Sequence, residues 1–268
     1  MTKVFILAHP QSADYIDDGF FSIDGVEPIK ISCGTTKVSS AMFSEANDFF
    51  PTYASWNSAL FETSVILTIW EHANDLIGDD NVAILHTDII KNREAEFTWN
   101  SLHDLVSDST SVGLVAGHNY SSVLNDFVVP ENIRFSPEND PMFLHAFDAG
   151  VYIWDFIKKY DPDIYDFAFS ANPRLIYSHQ FMCTRKVFDE LGFKLMRIAR
   201  QMVFADVSLW MPHVFERLIA LYLAKLSNPI LTTAFWHSSS SGIHGPGDHN
   251  LYGPRGRRFF NIKPRVLQ

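Results

Sequence analysis

His86 and Asp88, two apart at the end of the run VAILHTD (82–88), are the residues of this sequence best placed for chemistry. On an extended chain, positions two apart project to one face, so an imidazole and a carboxylate can converge on a single small target. Such a pair is half of a divalent-metal site. Two chemistries use it: a cation that holds the diphosphate of a nucleotide sugar, and a non-haem iron that handles oxygen. The same residues have plainer uses, Asp88 as the cap of a following helix and His86 as a hydrogen-bonded core side chain.

Other candidates lie far along the chain. The stretch from His237 changes character abruptly, with His237, His244 and His249 among several glycines and with Arg255, Arg257 and Arg258 close by. Glycine backbone approaches phosphate closely and the guanidinium fork matches its oxygens, so Arg255 and Arg258 are candidate phosphate ligands, and His237 and His244 candidate metal ligands. A disordered tail is the alternative, although it would rarely expose Phe259-Phe260. A carboxylate is also wanted as a general base. Glu216, early in a predicted helix, is the first candidate and Asp206 the second; an ion pair with the neighbouring Arg217 is the competing use of Glu216.

The elements that must position these residues can be read from apolar patterning. Lys3–Ala8 (KVFILA) predicts a buried strand, and His9 and Pro10 begin the loop at its carboxyl end, where open α/β sheets bind ligands. Pro28–Ser32 predicts a second short strand, and 34–54 a long polar and aromatic loop. Phe61, Val65, Ile66, Ile69, Trp70 and Ala73 recur at helical spacing, which predicts a helix from Ser55 or Asn57 to about Asn74. Glu62 sits one turn inside it among apolar neighbours, although composition alone favours an exposed face. Gly78-Asp79-Asp80 is a turn into the VAILHTD strand. The segment IIKNREAEFTWNSLHDLVSD (89–108) reads as polar and helical, and Val112–Ala116 as the next strand; strand, helix, strand is the alternation of a parallel sheet. Helices are further predicted at 145–160, at 185–204 with Thr184 as cap, and at 212–226 opening on Pro212. Strands are predicted at 175–183 and 229–236.

A chain of 268 residues with 47% hydrophobic content supports one large domain with a real core. A formal charge of -10 argues against nucleic acid or an anionic membrane as the main partner. Two cysteines, Cys33 and Cys183, provide neither a disulfide framework nor a zinc cluster and fit a reducing cytoplasm. The apolar run at the N-terminus is too short for a signal peptide, and no run approaches the ~18 residues of a membrane span.

The order KVFILAHP, EPIKISCG, NSALFETSVILTIW and VAILHTD resembles a bacterial capsule and exopolysaccharide glycosyltransferase-like family long described as a domain of unknown function. That family shows a Glu-Leu-Thr helix with a Trp, then a strand ending in His-Tyr-Arg-Arg. SHQFMCTRKVFDE is similar to its Met-Phe-x-Met segment, and HVFERLIALYL to its Glu-Arg-Leu helix, so the resemblance covers about residues 3 to 226. The chain departs at His86-Thr87-Asp88, where the family's basic residues are absent and the strand ends like the Asp-x-Asp motif of metal-dependent GT-A glycosyltransferases.

The resemblance implies a GT-A-like α/β fold, a mixed and mostly parallel sheet flanked by helices, over 1–236, with 237–268 as a C-terminal flap. It implies Mn²⁺ or Mg²⁺ at Asp88 with His86 or a tail histidine, and a nucleotide diphosphate sugar over the strand ends. His9, Pro10, Glu62, Arg255 and Arg258 would then line the donor, and a glycan acceptor would be reached in the cytoplasm or peripherally at a membrane. Two other readings compete. One is an iron(II) and 2-oxoglutarate oxygenase using His86, Asp88, His244 and Arg255; it needs a double-stranded β-helix, which the predicted long helices do not suit. The other is a non-catalytic carbohydrate-binding module.

Overall fold

The computed structural model describes residues 1–8, 26, 28–33, 44–45, 56, 60, 62–86, 89–91, 99–106, 110–113, 147–171, 173, 180–204, 211–231 and 235–237. In chain order these form β1 (Thr2–Ala8), β2 (Ile29–Ser32), β3 (Ser44–Glu45), α1 (Glu62–Glu71), α2 (Ala73–Leu76), β4 (Asn81–His86), β5 (Ile89–Lys91), α3 (Trp99–Leu105) and β6 (Ser111–Gly113). There follow α4 (Phe147–Tyr160), α5 (Pro162–Ser170), β7 (Phe181–Cys183), α6 (Arg185–Phe204), α7 (Met211–Leu226), β8 (Ile230–Leu231) and β9 (Phe235–His237).

Seven strands make one sheet in the order β3-β2-β1-β4-β7-β6-β8, while β5 and β9 pair separately. β1 is parallel to both β2 and β4, β2 to β3, and β6 to β8; β7 is antiparallel to β4 and to β6. All strands of the large sheet but β7 therefore run one way, and the fold is α/β with a mixed, mostly parallel sheet flanked by helices, as the sequence predicts.

The apolar runs of β1 and β4 are continuous because both faces are covered. Phe5, Leu7, Val82 and Ile84 enter a core with Val65, Ile66 and Ile69 of α1, Phe188, Leu191 and Leu195 of α6, and Phe215, Leu218 and Ile219 of α7. Val4, Ile6, Ala83 and Leu85 alternate with them and are also buried, on the opposite face. On the sheet's amino edge, His103 of α3 shares a hydrogen bond with the Thr2 hydroxyl at 2.6 Å. Each large apolar side chain withdrawn from water contributes about 1.5–3 kcal/mol, so the central strands are the most firmly held part of the sheet.

The entry to β4 is fixed from α6. Arg185 Nη1 donates to the carbonyl oxygens of Ala73 at 3.1 Å and Gly78 at 2.6 Å, Nη2 donates to Asn74 Oδ1 at 2.8 Å, and Nε pairs with Asp189 at 2.8 Å. Gly78, at φ +63°, takes the left-handed conformation that lets the turn after α2 reverse into the strand. Thr184 caps α6 as predicted, its hydroxyl accepting from the Val187 N–H at 3.3 Å.

The structure departs from the sequence pattern at several elements. Ile89–Lys91 is a strand and not part of a helix, because β9, far along the chain, supplies its ladder; only Trp99–Leu105 of that segment is described as helical. β6 does not continue a simple β-α-β alternation beside β4, because β7 enters between them in the opposite direction. The 229–236 segment is divided into two strands of different sheets, and β9 extends to His237. The predicted 57–74 helix is interrupted at His72 and resumes to Leu76, and α7 opens at Met211, one residue before Pro212. α5 has no counterpart among the predicted helices, although its start carries a clear signal: Asp161 before Pro162, with Asp161 Oδ1 accepting from the Ile164 N–H at 3.3 Å.

Candidate functional site

The parallel strands present their carboxyl ends at one edge of the sheet. Leu7 stands opposite both Ile31 and His86, and Ala8 opposite Ser32, so the ends of β2, β1 and β4 lie side by side. This is the edge at which open α/β sheets bind ligands, because connections that leave it can part to form a crevice.

His86 is the last residue of β4 and is half-buried. It is in phase with Val82 and Ile84, which places it on the face that α1 and α6 cover. Its main-chain N–H donates to the side-chain oxygen of Gln180 at 3.3 Å, and Gln180, just before β7, is almost wholly buried. The chain then enters β5, whose Ile89 stands opposite His237 of β9. The backbone thus brings the predicted tail ligand His237 across from the residue that follows Asp88 in sequence. No cluster of three or more His, Cys, Asp or Glu able to hold a metal occurs among the described residues. Asp88 lies outside those residues, as do His9, Pro10, Asp206, His244, Arg255 and Arg258.

Glu62 lies in α1 and is buried, contrary to the exposed face that composition favours. It lies near the end of β2, where its charge adds to burial in pushing up the thiol of Cys33. Burial does the same to Cys183 in β7, with the Asp189 charge adding to it.

Glu216 lies in α7 and pairs with the Arg217 beside it, Nη1 donating to Oε2 at 2.6 Å. Arg217 is 3% exposed, so the pair anchors the carboxylate firmly. The ion pair considered for Glu216 at the sequence level is therefore made. α6 starts at the amino edge, where Arg185 grips the turn before β4, and runs beside α1, with Gly192 against Trp70. Its 20 residues span ~30 Å at about 1.5 Å each, enough to return the chain to the carboxyl edge before the connection that contains Asp206. The predicted site residues that the structure draws to this edge are His86, Glu62 and, through its backbone, His237. Gln180, Cys33 and the buried state of Arg217 escaped the sequence reading; the polar Gln180 just ahead of the apolar FMC triplet was the available signal.

Both thiols are protonated and enclosed, which has a measurable consequence. The unfolded chain releases these protons above about pH 8.5 while the folded protein keeps them. Stability should therefore fall as pH rises through that value, by up to ~1.4 kcal/mol per pH unit for each thiol. Urea midpoints measured from pH 7 to pH 10 should decline, and the decline should flatten in Cys183→Ala. Neither thiol should react with a thiol reagent at pH 8 until the protein unfolds; rapid labelling of the native protein would contradict the enclosure.

No protein-family model matches the chain. No curated protein matches it either. Among solved structures it is similar to the apo structure of the bifunctional glycosyltransferase WbbM, at 14% identity and a TM-score of 0.47, over 89% of this chain and 46% of that one. The chain thus corresponds to less than half the length of that protein.

Proposed function

We propose that the chain is a GT-A-like, metal-dependent glycosyltransferase that moves a sugar from a nucleotide diphosphate sugar to a glycan acceptor. The observation that carries the reading is the end of β4. His86 stands at the carboxyl edge of the parallel strands, and the β5–β9 ladder returns His237 opposite Ile89, directly after Asp88. Two imidazoles and a carboxylate drawn from these segments suit a divalent cation, and the nitrogen donors favour Mn²⁺ over Mg²⁺. His86 and Asp88 with His237 or His244 would hold the ion, which supplies positive charge against the leaving diphosphate.

The protein's own residues do the rest in this reading. The His9-Pro10 loop lines the nucleoside, and Glu62, behind the end of β2, accepts hydrogen bonds from the donor's hydroxyls. Arg255 and Arg258, in the 237–268 flap, close on the phosphates. Glu216 on release from Arg217, or Asp206 between α6 and α7, takes the proton of the acceptor hydroxyl. That oxygen then attacks the anomeric carbon as the bond to the diphosphate breaks, and the electron pair leaves with the diphosphate, which inverts the centre. No helix among the described residues is long and apolar enough to cross a membrane. A membrane-bound acceptor would be met peripherally, and two buried cysteines outside any disulfide suit cytoplasmic action. The oxygenase reading loses ground because an open sheet with helices on its faces is not a double-stranded β-helix.

Calorimetric titration of UDP, with and without Mn²⁺, tests the reading. Binding that requires Mn²⁺ and disappears in Asp88→Ala is expected, followed by metal-dependent hydrolysis or transfer with a suitable donor. Absence of binding to UDP, GDP, CDP and dTDP under every metal would overturn it, and nucleotide-free binding of glycans would point to the carbohydrate-binding module instead.

A further inference from the structure

We infer that Gln180 is a positioning residue for the β4 end, its side-chain carbonyl standing in for a main-chain partner and thereby fixing His86 for ligand binding. The inference rests on the metal-and-diphosphate reading of that strand end. The backbone register of β4 with β7 runs through Val82↔Cys183, Ala83↔Met182 and Ile84↔Phe181. β4 continues two residues further, to His86, and there the N–H is accepted by Gln180 Oε1 at 3.3 Å.

A main-chain amide can only donate, so the carboxamide atom facing it must be the oxygen, and the orientation of the side chain is chemically determined. Gln180 is 1% exposed, so the bond is made away from water, and its removal leaves a strand-end amide poorly satisfied. On the other side β1 still pairs, with Leu7 opposite His86. A side chain at this position lets β7 begin at Phe181 while β4 runs on, so that His86 reaches the edge held from both flanks. Groups that orient a metal-binding residue typically change affinity 10–100-fold when lost, by allowing the ligand to wander.

The experiment compares wild type, Gln180→Met, which keeps length and loses the acceptor, and Gln180→Glu, which keeps an acceptor oxygen. The probe is UDP with Mn²⁺ by calorimetry, together with hydrogen exchange of the His86 amide by NMR. Gln180→Met should weaken Mn²⁺-dependent binding about 10–100-fold in a protein that is still folded at the assay temperature, with a lowered thermal midpoint and a faster-exchanging His86 amide. Gln180→Glu should restore affinity to within several-fold of wild type. Wild-type binding retained in a folded Gln180→Met overturns the role of Gln180 alone. A wild type that binds neither Mn²⁺ nor nucleotide overturns the donor-site reading and this role with it. If Gln180→Met does not fold, the wild-type His86 amide decides: slow exchange supports the bond, and exchange as fast as an exposed amide refutes it.

Discussion

Asp161→Ala should destabilise the fold by about 2–4 kcal/mol, seen as a lower urea midpoint. The side chain is 2% exposed and joins three helices. Oδ1 caps α5 through the Ile164 N–H at 3.3 Å, while Oδ2 accepts from the Tyr222 hydroxyl of α7 at 2.7 Å and pairs with Arg197 of α6 at 2.6 Å. Arg197 is 43% exposed and can return to water, so its share of the loss is small. The large terms are the cap, typically ~1 kcal/mol, and the buried phenol left without its acceptor. Burial and the adjacent Asp161 charge push the Tyr222 phenol upward, which keeps it protonated and therefore a donor well into the alkaline range. Asp161→Asn preserves shape and one carbonyl acceptor, so it should lose less, about 1–3 kcal/mol. Tyr222→Phe should reduce the penalty of Asp161→Asn, since no orphaned hydroxyl remains; additive losses from the pair, or an Asp161→Ala protein within 1 kcal/mol of wild type by the measured midpoint, would refute the cluster's role.

The parts of the fold that could be read in the sequence are those whose signal is local. KVFILA and VAILH are unbroken apolar runs, which only a strand covered on both faces makes sense of, and both are central strands. α6 announces itself by its Thr184 cap and its periodicity, and it spans Arg185–Phe204 as predicted. What escaped is set by partners distant in sequence. Ile89–Lys91 carries a pattern too short to distinguish from the start of a helix, and it becomes a strand by pairing with Phe235–His237. The direction of β7 is equally invisible, because nothing in FMC states which neighbours it will lie between.

The candidate site follows the same division. His86 is legible because it ends an apolar strand, and the sheet puts it at the carboxyl edge of the parallel strands. The approach of His237 depended on the β5–β9 ladder and was reachable only as a compositional change in the tail. Glu62 illustrates the limit of counting polar residues: helix periodicity allows it either face, and only the packing of α1 at the sheet edge near Cys33 buries it. Gln180 carries no motif at all; its role arises from one hydrogen bond to a backbone amide on another strand.

Gly192→Ala sets two local effects against each other, and the contact should win. In an isolated helix the change favours folding by about 1 kcal/mol, because alanine restricts the unfolded chain. In α6, however, a Cβ at this position would overlap the indole ring of Trp70. The nearest atoms are Cγ, Cδ1 and Cδ2, at the root of the ring, so the indole cannot yield by swinging a flexible end. Relief requires α6 to move away from α1, and such overpacking costs about 1–3 kcal/mol, sometimes more. A net loss is therefore expected in urea unfolding, larger for Gly192→Val than for Gly192→Ala. Trp70→Leu supplies the decisive background: it opens the space and is destabilising by itself, but within it Gly192→Ala should become neutral or stabilising, since only the helix preference remains. If Gly192→Ala lowers stability equally with Trp70 present and absent, the indole is not what selects glycine at this helix crossing.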